Sequence, residues 1–551
     1  MDSVVEGNIL LVGDGDFSLT TSLLRYHSPQ HITTTSLETE SSILKHKDAL
    51  LNRERLAKQG VQVLLDVDGC RLNSYPAIRK QSFQRIIFNF PHAGGKSNHK
   101  KNRKLLDDFF RSAVNILAPQ GHVMVTLCKG QGGTPADRPQ RAWPDSWQVV
   151  SMAANAGLIL SEIHPFHPGD FPGYLCTGFR SQDKWFHIDG ALTHMFTRAA
   201  PISVPKISDV PAISRAHDCQ DKINRNLLAE PDHPLYTLTE ELTDKLTKYW
   251  STRVIAHGDT VGEVTTVNHT LDVLKFMLRD SVNSSAELFV TRGPVWKDSP
   301  GVFQAVPVYL EMSGVFRVRR TPVGCNQTEE WTSKLRAVLQ EICINGQPVD
   351  TNQTVVRICD EKEKSNASVL GLTLAHRIFI EKGNCTTEFG KVYFPSADDN
   401  AQDVDSELGM AFRLSLDKLL CCVCGIVDRR MLWSSDSRFS SQFPKTAVCS
   451  HPFKPFSLYP MTYSHDMSFW ECPGVEFDEM LYFCVIRVLS GETIWDVTLI
   501  DRYKDEDTGR VSRCYRLTFQ SCDRALSYST SWQIQSIIRL AVAEQMAVTL
   551  R

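Results

Sequence analysis

An apolar strand that runs directly into an acidic glycine turn constrains the first fold of this chain more than any other feature. Residues 8–18 read NILLVGDGDFS, with glycines at positions 13 and 15. A Gly-x-Gly turn between a buried strand and a helix lets a nucleotide-bearing cofactor approach the backbone, where a Cβ atom would obstruct it. The sequence therefore predicts an α/β domain with a cofactor site at Gly13 and Gly15. The alternative is a glycine turn that binds no ligand.

The residues around this turn distinguish between cofactors. Ser18 occupies the position where a dinucleotide fingerprint requires a third glycine, which disfavours NAD. Asp14 and Asp16 would repel a pyrophosphate but attract the sulfonium and ammonium groups of S-adenosylmethionine. Glu38, about twenty residues beyond the turn, is placed to accept hydrogen bonds from a ribose diol. Asp68, at the end of a third strand, is expected near an adenine amino group.

Length and composition limit the broad class of protein. The chain has 551 residues and a formal charge of −3. This length is too great for one hydrophobic core and predicts about three or four domains. No apolar run is long enough to span a bilayer. Asp2 and Glu6 are unlike a targeting leader, which indicates the cytoplasm, with the nucleus or nucleolus as the alternative. Cys421, Cys422 and Cys424 lack a second pair at metal spacing, so we interpret them as reduced thiols and predict no metal site.

Sequence patterns divide the chain into four parts. Residues 1–199 alternate strands and helices, which predicts a doubly wound, Rossmann-like domain. Residues 200–234 are rich in Pro, Ser and Asp and predict a linker. Residues 235–445 mix helices and strands, and residues 455–551 read strand, helix, two strands, helix, which suits a ferredoxin-like sandwich. The expected fold class is multidomain, α/β followed by α+β.

A second candidate element of the site lies in residues 85–92, RIIFNFPH, where a strand ends in Asn89. A polar–Pro–aromatic element at the carboxyl edge of such a sheet is typical of methyltransferases that act on ring or exocyclic nitrogens. In such an element, the oxygen of the polar side chain and nearby carbonyls can hold the target nitrogen in line with the methyl group of the donor. Asn89 is therefore the predicted positioning residue and His92 a candidate proton acceptor. Otherwise they are a strand-ending cap and a surface histidine.

A basic run follows immediately and is a candidate RNA-binding surface. Five of the nine residues from 96 to 104 are basic: Lys96, Lys100, Lys101, Arg103 and Lys104. At the rim of a cofactor cleft such residues bind backbone phosphates. The alternative is a charged face that is simply solvated.

Several motifs in the first part match one known family in order: LLVGDGDFS, TTSLETE, VQVLLDVDG, RIIFNFPHAGGK, ILAPQGHVMVTL and DFPGY. Together they resemble the fungal large-subunit rRNA (uridine-N3) methyltransferase family over about residues 6–180. The resemblance implies S-adenosylmethionine as the methyl donor and an RNA uridine as the acceptor. The chain departs from the family in an insertion at residues 130–143 and in the absence of basic residues at 176–178.

The last part of the chain, from about residue 415 to 551, resembles organellar phenylalanyl-tRNA synthetase. The similarity covers the end of the catalytic core and the ferredoxin-fold anticodon-binding domain. Lys418 stands where a working class II enzyme has an arginine in its third motif, and Lys297 aligns with a second ATP-binding arginine. Lysine offers a point charge in place of a planar fork. We therefore expect a degenerate class II synthetase-like middle domain without aminoacylation activity.

Basic and aromatic residues alternate in the final domain. Arg513 and Tyr515 fall on one face of a strand and Arg516 on the other, because side chains alternate along a strand. Arg513 and Tyr515 are predicted to contact RNA phosphates and bases. The alternative is a charged sheet surface with no ligand.

The favoured function is an S-adenosylmethionine-dependent RNA methyltransferase that forms N3-methyluridine, expected in rRNA, with C-terminal domains that bind or orient rRNA or tRNA. Uridine N3 carries a proton and is normally paired, so the enzyme must expose the base and assist proton loss, through His92 or a carboxylate. The alternative is a noncatalytic RNA-binding protein derived from the synthetase. An active phenylalanyl-tRNA ligase is disfavoured by Lys418.

Overall fold

The computed structural model of the protein describes residues 7–94, 98–178, 181–185, 187–209, 225–255, 285–295, 301–306, 309–317, 325–344, 354–360, 372–395 and 408–551. Lys96 and Lys297, singled out above, lie outside these residues. The chain forms two compact units. The first comprises residues 1–206, 455–465 and 519–536, and the second comprises residues 207–454, 466–518 and 537–551. In the described part of the chain, no helix is both long enough and apolar enough to cross a bilayer.

The first unit is built on a seven-stranded sheet with helices between its strands. The strands of the sheet are β1 Ile9–Leu11, β2 Ile32–Thr35, β3 Gln62–Leu64, β4 Phe83–Asn89, β5 Leu117–Leu127, β6 Leu158–Pro165 and β9 Leu192–Arg198. Two further strands, β7 Thr177–Gly178 and β8 Ser181–Trp185, form a separate hairpin. Its helices are α1 Ser18–Leu23, α2 Glu40–Ile43, α3 Lys47–Lys58, α4 Pro76–Arg79, α5 His99–Ala113 and α6 Val149–Ala154.

The strand order confirms the predicted doubly wound fold. The order is β3-β2-β1-β4-β5-β9-β6, with β1 parallel to both β2 and β4. Only β9 is reversed, and it pairs antiparallel with β5 and β6. The chain leaves β1 toward β2 on one side and returns to β4 on the other. Such a switch point opens a crevice at the carboxyl ends of its two central strands.

Apolar residues on α5 hold the sheet in place from one side. Leu106, Phe109 and Phe110 are fully buried against strand residues such as Ile86 and Val123. The same core receives a late segment of the chain, since Leu458 donates its backbone N–H to Leu160 O at 2.7 Å. Residues 455–465 therefore belong to the first unit.

The second unit contains a larger sheet of mainly antiparallel strands. They are β10 Thr252–Ile255, β11 Leu288–Val295, β12 Tyr309–Arg317, β13 Val355–Asp360, β14 Leu372–Lys382, β15 Cys385–Pro395 and β16 Leu408–Ser415. Their order is β10-β11-β12-β16-β15-β14-β13, and β10 with β11 is the parallel pair. The helices of this region are α7 Pro234–Tyr249, α8 Cys325–Ile344, α9 Leu416–Cys424 and α10 Ser437–Ser440.

Two charged pairs lie within this larger sheet and its adjoining helix. Arg413 donates two hydrogen bonds to the Glu311 carboxylate, both at 2.8 Å, and the Glu311 side chain is only 4% exposed. Arg429 pairs with the fully buried Asp417 of α9. Each charge is therefore compensated inside the protein, because an unpaired buried charge would be costly.

The final part of the chain confirms the predicted ferredoxin-like sandwich. It consists of β17 Tyr463–Trp470, α11 Glu479–Ser490, β18 Ile494–Lys504, β19 Val511–Phe519, α12 Tyr528–Gln545 and β20 Thr549–Leu550. The sheet order is β18-β19-β17-β20. The prediction ended at the second helix and missed β20, a two-residue strand in which Leu550 lies opposite Phe469. A strand this short has no periodic pattern to detect.

The prediction that Tyr515 stacks on RNA is wrong. Its side chain is fully buried, and its hydroxyl donates to Glu479 Oε1 at 2.6 Å. Arg513, on the same face of β19, pairs with Glu471 at 2.5 Å and lies over the Phe477 ring. Alternation along the strand was predicted correctly, but this face packs against α11. Arg513 is therefore engaged in the fold and is not presented to a ligand.

Breaking the buried pair in the larger sheet should destabilise the protein strongly. Arg413→Met leaves the Glu311 charge without its counterion, and we expect the free energy of unfolding to fall by about 3 to 5 kcal/mol. The double variant Glu311→Gln/Arg413→Met removes both charges and should recover most of the loss. Urea denaturation gives the free energy of unfolding of the unmodified protein, the single variant and the double variant.

The matched control is Arg357→Met, which breaks a cross-strand Arg–Glu pair of the same sheet whose arginine side chain is 59% exposed. Because exposed pairs contribute little, the expected loss is below about 1 kcal/mol. A loss in Arg413→Met no larger than in this control would contradict the importance of the buried pair.

Candidate functional site

All eight residues predicted for cofactor binding and catalysis line one cleft in the first unit. The cleft lies at the switch point between β1 and β4 and has a free volume of about 160 Å³. The predicted residues among its lining are Gly13, Asp14, Gly15, Asp16, Glu38, Asp68, Asn89 and His92. They come from the ends of four neighbouring strands. Parallel strands bring their carboxyl ends to one edge, so residues far apart in sequence meet there.

Two buried carboxylates form the floor of the turn after β1. Asp14 Oδ2 accepts hydrogen bonds from the backbone N–H of Thr20 at 2.9 Å and from its hydroxyl at 2.5 Å. Asp16 Oδ1 accepts from the backbone N–H and the hydroxyl of Ser18 at 3.0 and 2.6 Å. The first turn of α1 thus supplies the donors for both groups, as helix N-termini do for acidic side chains.

Burial changes the protonation of this pair. Loss of water, and then the proximity of Asp16, raises the pKa of Asp14 to about 7. Two carboxylates this close avoid being charged together, and desolvation disfavours the charged form. Asp14 therefore holds its proton across the acidic range and carries about half a charge at neutral pH.

Two further observations fit the cationic cofactor predicted for this turn. Asp16 Oδ2 is buried and has no hydrogen-bond partner among the described residues, although buried polar atoms are normally satisfied. A Cβ atom added at Gly15 would meet no protein atom within 4 Å. The missing side chain at Gly15 thus leaves room on the cleft side of the turn. Position 13 favours glycine for a different reason, because its backbone φ is +69°.

Glu38 and Asp68 lie along the cleft beyond the acidic turn. Glu38 is half-buried, and its Oε2 accepts from the Ser42 hydroxyl, which orients the carboxylate. Asp68 Oδ1 accepts from the backbone N–H of Cys70 at 2.9 Å and caps a short helical turn. Glu38 thus uses one oxygen in its own local structure, whereas Asp68 also has its Oδ2 3.9 Å from the Arg71 guanidinium. The second oxygen of Glu38 has the chemistry required for a ribose diol.

A chain of hydrogen bonds fixes Asn89 at the end of β4. The Thr126 hydroxyl donates to Asn89 Oδ1 at 2.7 Å and lies 2.9 Å from the Thr193 hydroxyl. The Asn89 side chain also bonds to that of Tyr174, a half-buried tyrosine whose pKa is raised mainly by loss of water around its hydroxyl. With Oδ1 occupied by Thr126, the Asn89 amide nitrogen is the group that bonds Tyr174.

His92 is held in one tautomer by the backbone beside it. Its Nδ1 accepts from the N–H of Gly94 at 2.9 Å, so a neutral ring carries its proton on Nε2. The proton-acceptor role predicted for His92 therefore conflicts with the geometry. Nδ1 is already bound, and Nε2 is a donor. Asn89 and His92 flank Phe90, which adopts a φ of +50°, the kind of backbone strain that clusters at functional sites.

Sequence reasoning assigned no role to Tyr174 and gave Ser18 only a negative one. Tyr174 lines the cleft, and its ring packs with Phe166 and Phe171. Ser18, read as a departure from a glycine fingerprint, accepts from the backbone N–H of Leu175 at 3.1 Å. The sequence signal for Tyr174 is the DFPGY motif at residues 170–174. This motif supports the family resemblance, but by itself it does not indicate a role for the tyrosine in the cleft.

The predicted basic run is only partly available to a ligand. Lys100 and Lys101 are exposed at the start of α5. Arg103 instead donates to the Ser146 carbonyl at 3.0 Å and also bonds Pro144 O. Lys104 pairs with Asp108 one helical turn away at 2.8 Å. An isolated prediction of a charged run cannot detect such pairing, because the contacts of Arg103 span about forty residues.

Comparison with known proteins agrees with both resemblances. Residues 10–178 match the family described as rRNA (uridine-N3-)-methyltransferase BTM5-like. Residues 457–551 match the ferredoxin-fold anticodon binding domain family. The first region is thus a methyltransferase domain of Rossmann-like fold, and the last is an anticodon-binding-type domain.

Similarity to two mammalian proteins extends over nearly the whole chain. Ferredoxin-fold anticodon-binding domain-containing protein 1 homolog of Mus musculus is 32% identical over 98% of this chain and 99% of its own length. Its human counterpart is 30% identical over the same shares. Phenylalanine–tRNA ligase, chloroplastic/mitochondrial, of Arabidopsis thaliana is 36% identical over 27% of this chain and 34% of its own length.

The raised pKa of Asp14 predicts a specific pH dependence of stability. The unfolded carboxyl ionises near its ordinary value of 3.8, whereas the folded one keeps its proton up to about 7. The folded state then binds more protons, so the free energy of unfolding falls as pH rises from about 4 through 7, by roughly 3 to 4 kcal/mol. In Asp14→Asn this decline should disappear. Urea denaturation at a series of pH values measures it.

The exposed Asp48, in the first turn of α3, provides the control. Asp48→Asn should retain the decline seen in the unmodified protein. If Asp14→Asn also retains it, Asp14 is ionised in the folded state and the burial argument fails.

Proposed function

The chain belongs to the family of ferredoxin-fold anticodon-binding domain-containing protein 1, and from that premise we propose that it is an S-adenosylmethionine-dependent RNA methyltransferase that forms N3-methyluridine. The observation that carries the proposal is the cleft at the β1–β4 switch point. It places a buried acidic pair opposite a strand end that carries Asn89 and His92. One side suits a cationic methyl donor and the other a planar base.

We assign the donor to the β1 side of the cleft. Asp14 and Asp16 attract its sulfonium and ammonium groups, and the buried, unpartnered Oδ2 of Asp16 offers a strong acceptor for an ammonium N–H. Glu38 accepts from the ribose hydroxyls, and Asp68 lies toward the adenine. When bound, S-adenosylmethionine supplies a methyl group on a positively charged sulfur. Because its charge favours ionised Asp14, binding near neutral pH should release a proton.

The groups on the β4 side favour an imide base over an amino group as the acceptor. An exocyclic amine needs hydrogen-bond acceptors, whereas uracil N3 lies between two carbonyl oxygens that need donors. Asn89 Oδ1 is already bound by Thr126 and His92 Nδ1 by Gly94. These side chains still offer two N–H donors, the second amide hydrogen of Asn89 and Nε2–H of a neutral His92, beside one remaining lone pair on Asn89 Oδ1. As N3 gives its proton to solvent water or to a carboxylate of the cleft, negative charge spreads to the carbonyl oxygens, and these donors stabilise it.

The acceptor RNA is proposed to be ribosomal, by the family that residues 10–178 match. The ferredoxin-fold domain would then bind or orient RNA, and the middle domain, whose buried charges are paired internally, would act without aminoacylation. A second candidate is a noncatalytic RNA-binding protein. It is favoured by the anticodon-binding domain match, and it predicts RNA binding without affinity for S-adenosylmethionine.

The proposed ribose contact can be tested on the donor alone. Glu38→Gln removes the charge of an acceptor that hydrogen-bonds a diol, and we expect S-adenosylmethionine to bind about 10- to 100-fold more weakly. Glu40→Gln, two residues away, changes an exposed carboxylate paired with Arg53 and should bind like the unmodified protein. Isothermal titration calorimetry gives both dissociation constants. Equal affinity in the two variants would contradict the placement of Glu38.

The reaction itself can be tested with RNA from cells that lack the protein. Purified protein and labelled S-adenosylmethionine should introduce N3-methyluridine, detected by mass spectrometry of the digested nucleosides. Asn89→Ala should lower transfer by about 100-fold, because catalysis here depends on orientation, while donor binding stays unchanged. The control is Asn115→Ala, which changes an exposed asparagine whose side-chain amide donates to Arg111 O. Donor binding without any methylated uridine would point to another acceptor.

A further inference from the structure

The loop that follows β5 carries an exposed, basic and aromatic tip. The loop comprises residues 128–148, and every residue from 138 to 145 is exposed. This stretch, called the tip below, contains Arg138, Arg141 and Trp143, and the Trp143 side chain is 42% exposed. An exposed tryptophan two residues after an arginine and five after another is uncommon on a surface that binds nothing, because large aromatic side chains are usually buried.

Buried polar contacts hold the base of this loop in place. Asp137 is almost fully buried and accepts from the backbone N–H and hydroxyl of Thr134 at 2.8 and 3.1 Å. Trp147 is 2% exposed, and its backbone N–H donates to Gln131 O at 2.7 Å. Arg103 of α5 fastens the far side of the tip at Ser146 O. The tip therefore projects from an anchored base.

The two arginines of the tip keep their positive charge available. Among the described residues, Arg138 donates to the carbonyls of Pro135 and Asp137, and Arg141 to the carbonyl of Lys129. These are backbone acceptors, which do not neutralise a guanidinium. The acidic residues of the loop are Asp137, whose buried carboxylate accepts from Thr134, and the exposed Asp145, while Asp189 lies 4.0 Å from Lys129.

The base of the loop lies beside the acceptor end of the cleft. The loop begins where β5 ends, and β5 is the neighbour of β4 in the sheet. At the base of the loop, the Trp147 ring centroid is 6.3 Å from that of His92. RNA that reaches the cleft from the β5 side therefore passes this loop.

We propose that residues 138–145 bind the single-stranded RNA next to the target nucleotide, with Trp143 stacking on a base and Arg138 and Arg141 contacting phosphates. The proposal rests on the proposed function, since RNA is the acceptor assumed there. Aromatic platforms combined with arginines suit single strands, because every base has a face for stacking and every nucleotide a phosphate. A target uridine must be unpaired to expose N3, so its neighbours are single-stranded too.

The test compares two matched double variants of the full chain. Arg141→Ala/Trp143→Ala removes one cation and one aromatic ring from the tip. Arg25→Ala/Tyr26→Ala likewise removes one cation and one aromatic ring, here a tyrosine, from an exposed site near the start of β2, at the amino edge of the sheet. The probe is fluorescein-labelled oligouridylate of about 15 nucleotides, and fluorescence anisotropy gives its affinity at several salt concentrations.

We expect the tip variant to bind the oligonucleotide at least tenfold more weakly, with a salt slope lower by about one. The control should remain within about twofold of the unmodified protein. Calorimetric titration with S-adenosylmethionine, unchanged in both variants, shows that the first unit is still folded.

The outcomes separate this proposal from the proposed function. Equal RNA affinity in the two double variants would overturn the role of the tip, and so would an unmodified protein that does not bind oligouridylate. Selective loss in the tip variant, in a protein that transfers no methyl group to any RNA, would support the tip as an RNA-binding site and reject the methyltransferase assignment.

Discussion

Burial of two carboxylates in one turn is the constraint on which the first unit depends. Asp14 and Asp16 are 6% and 4% exposed, and removing such groups from water is costly unless donors replace it. Thr20 and Ser18 supply those donors from the first turn of α1. The start of the helix, the course of the turn and the opening of the cleft all follow from meeting this requirement. The raised pKa of Asp14 lowers the remaining cost at acidic pH, because a protonated carboxyl is less costly to bury than a carboxylate.

The features that were predicted correctly are those encoded in neighbouring residues. Gly13 and Gly15 identify the turn because the steric requirement of a turn acts on consecutive positions. The strand–helix alternation predicts the Rossmann-like domain, and the βαββα pattern predicts the ferredoxin-like sandwich. Both patterns can be recognised because the spacing of hydrophobic residues repeats over a few neighbouring positions. Placement of Glu38 and Asn89 in one cleft follows from the topology of parallel strands. These elements needed no knowledge of tertiary contacts.

The features that were missed depend on contacts between distant residues. Tyrosine is a residue type that often contacts RNA, but the side chain of Tyr515 packs against Tyr482 and is buried. Arg103 is in a basic run, yet it is used to fasten a loop about forty residues later. The tautomer of His92 is set by Gly94, and the orientation of the Asn89 amide by Thr126. Hydrogen-bond direction cannot be read from residue type alone.

The hydrogen bond between Ser18 and Leu175 joins positions 157 residues apart. Contacts of such long sequence separation form late, because a large loop of chain must be closed first. During synthesis, the turn at Gly13 emerges from the ribosome early, but the segment that covers it follows only after six strands have been made. The nascent chain therefore has no complete cleft until Tyr174 and Leu175 are available. A premature stop before this point would yield the five strands from β1 to β5 that pair directly, but neither the segment that closes the cleft nor β9, the strand that joins β6 to β5.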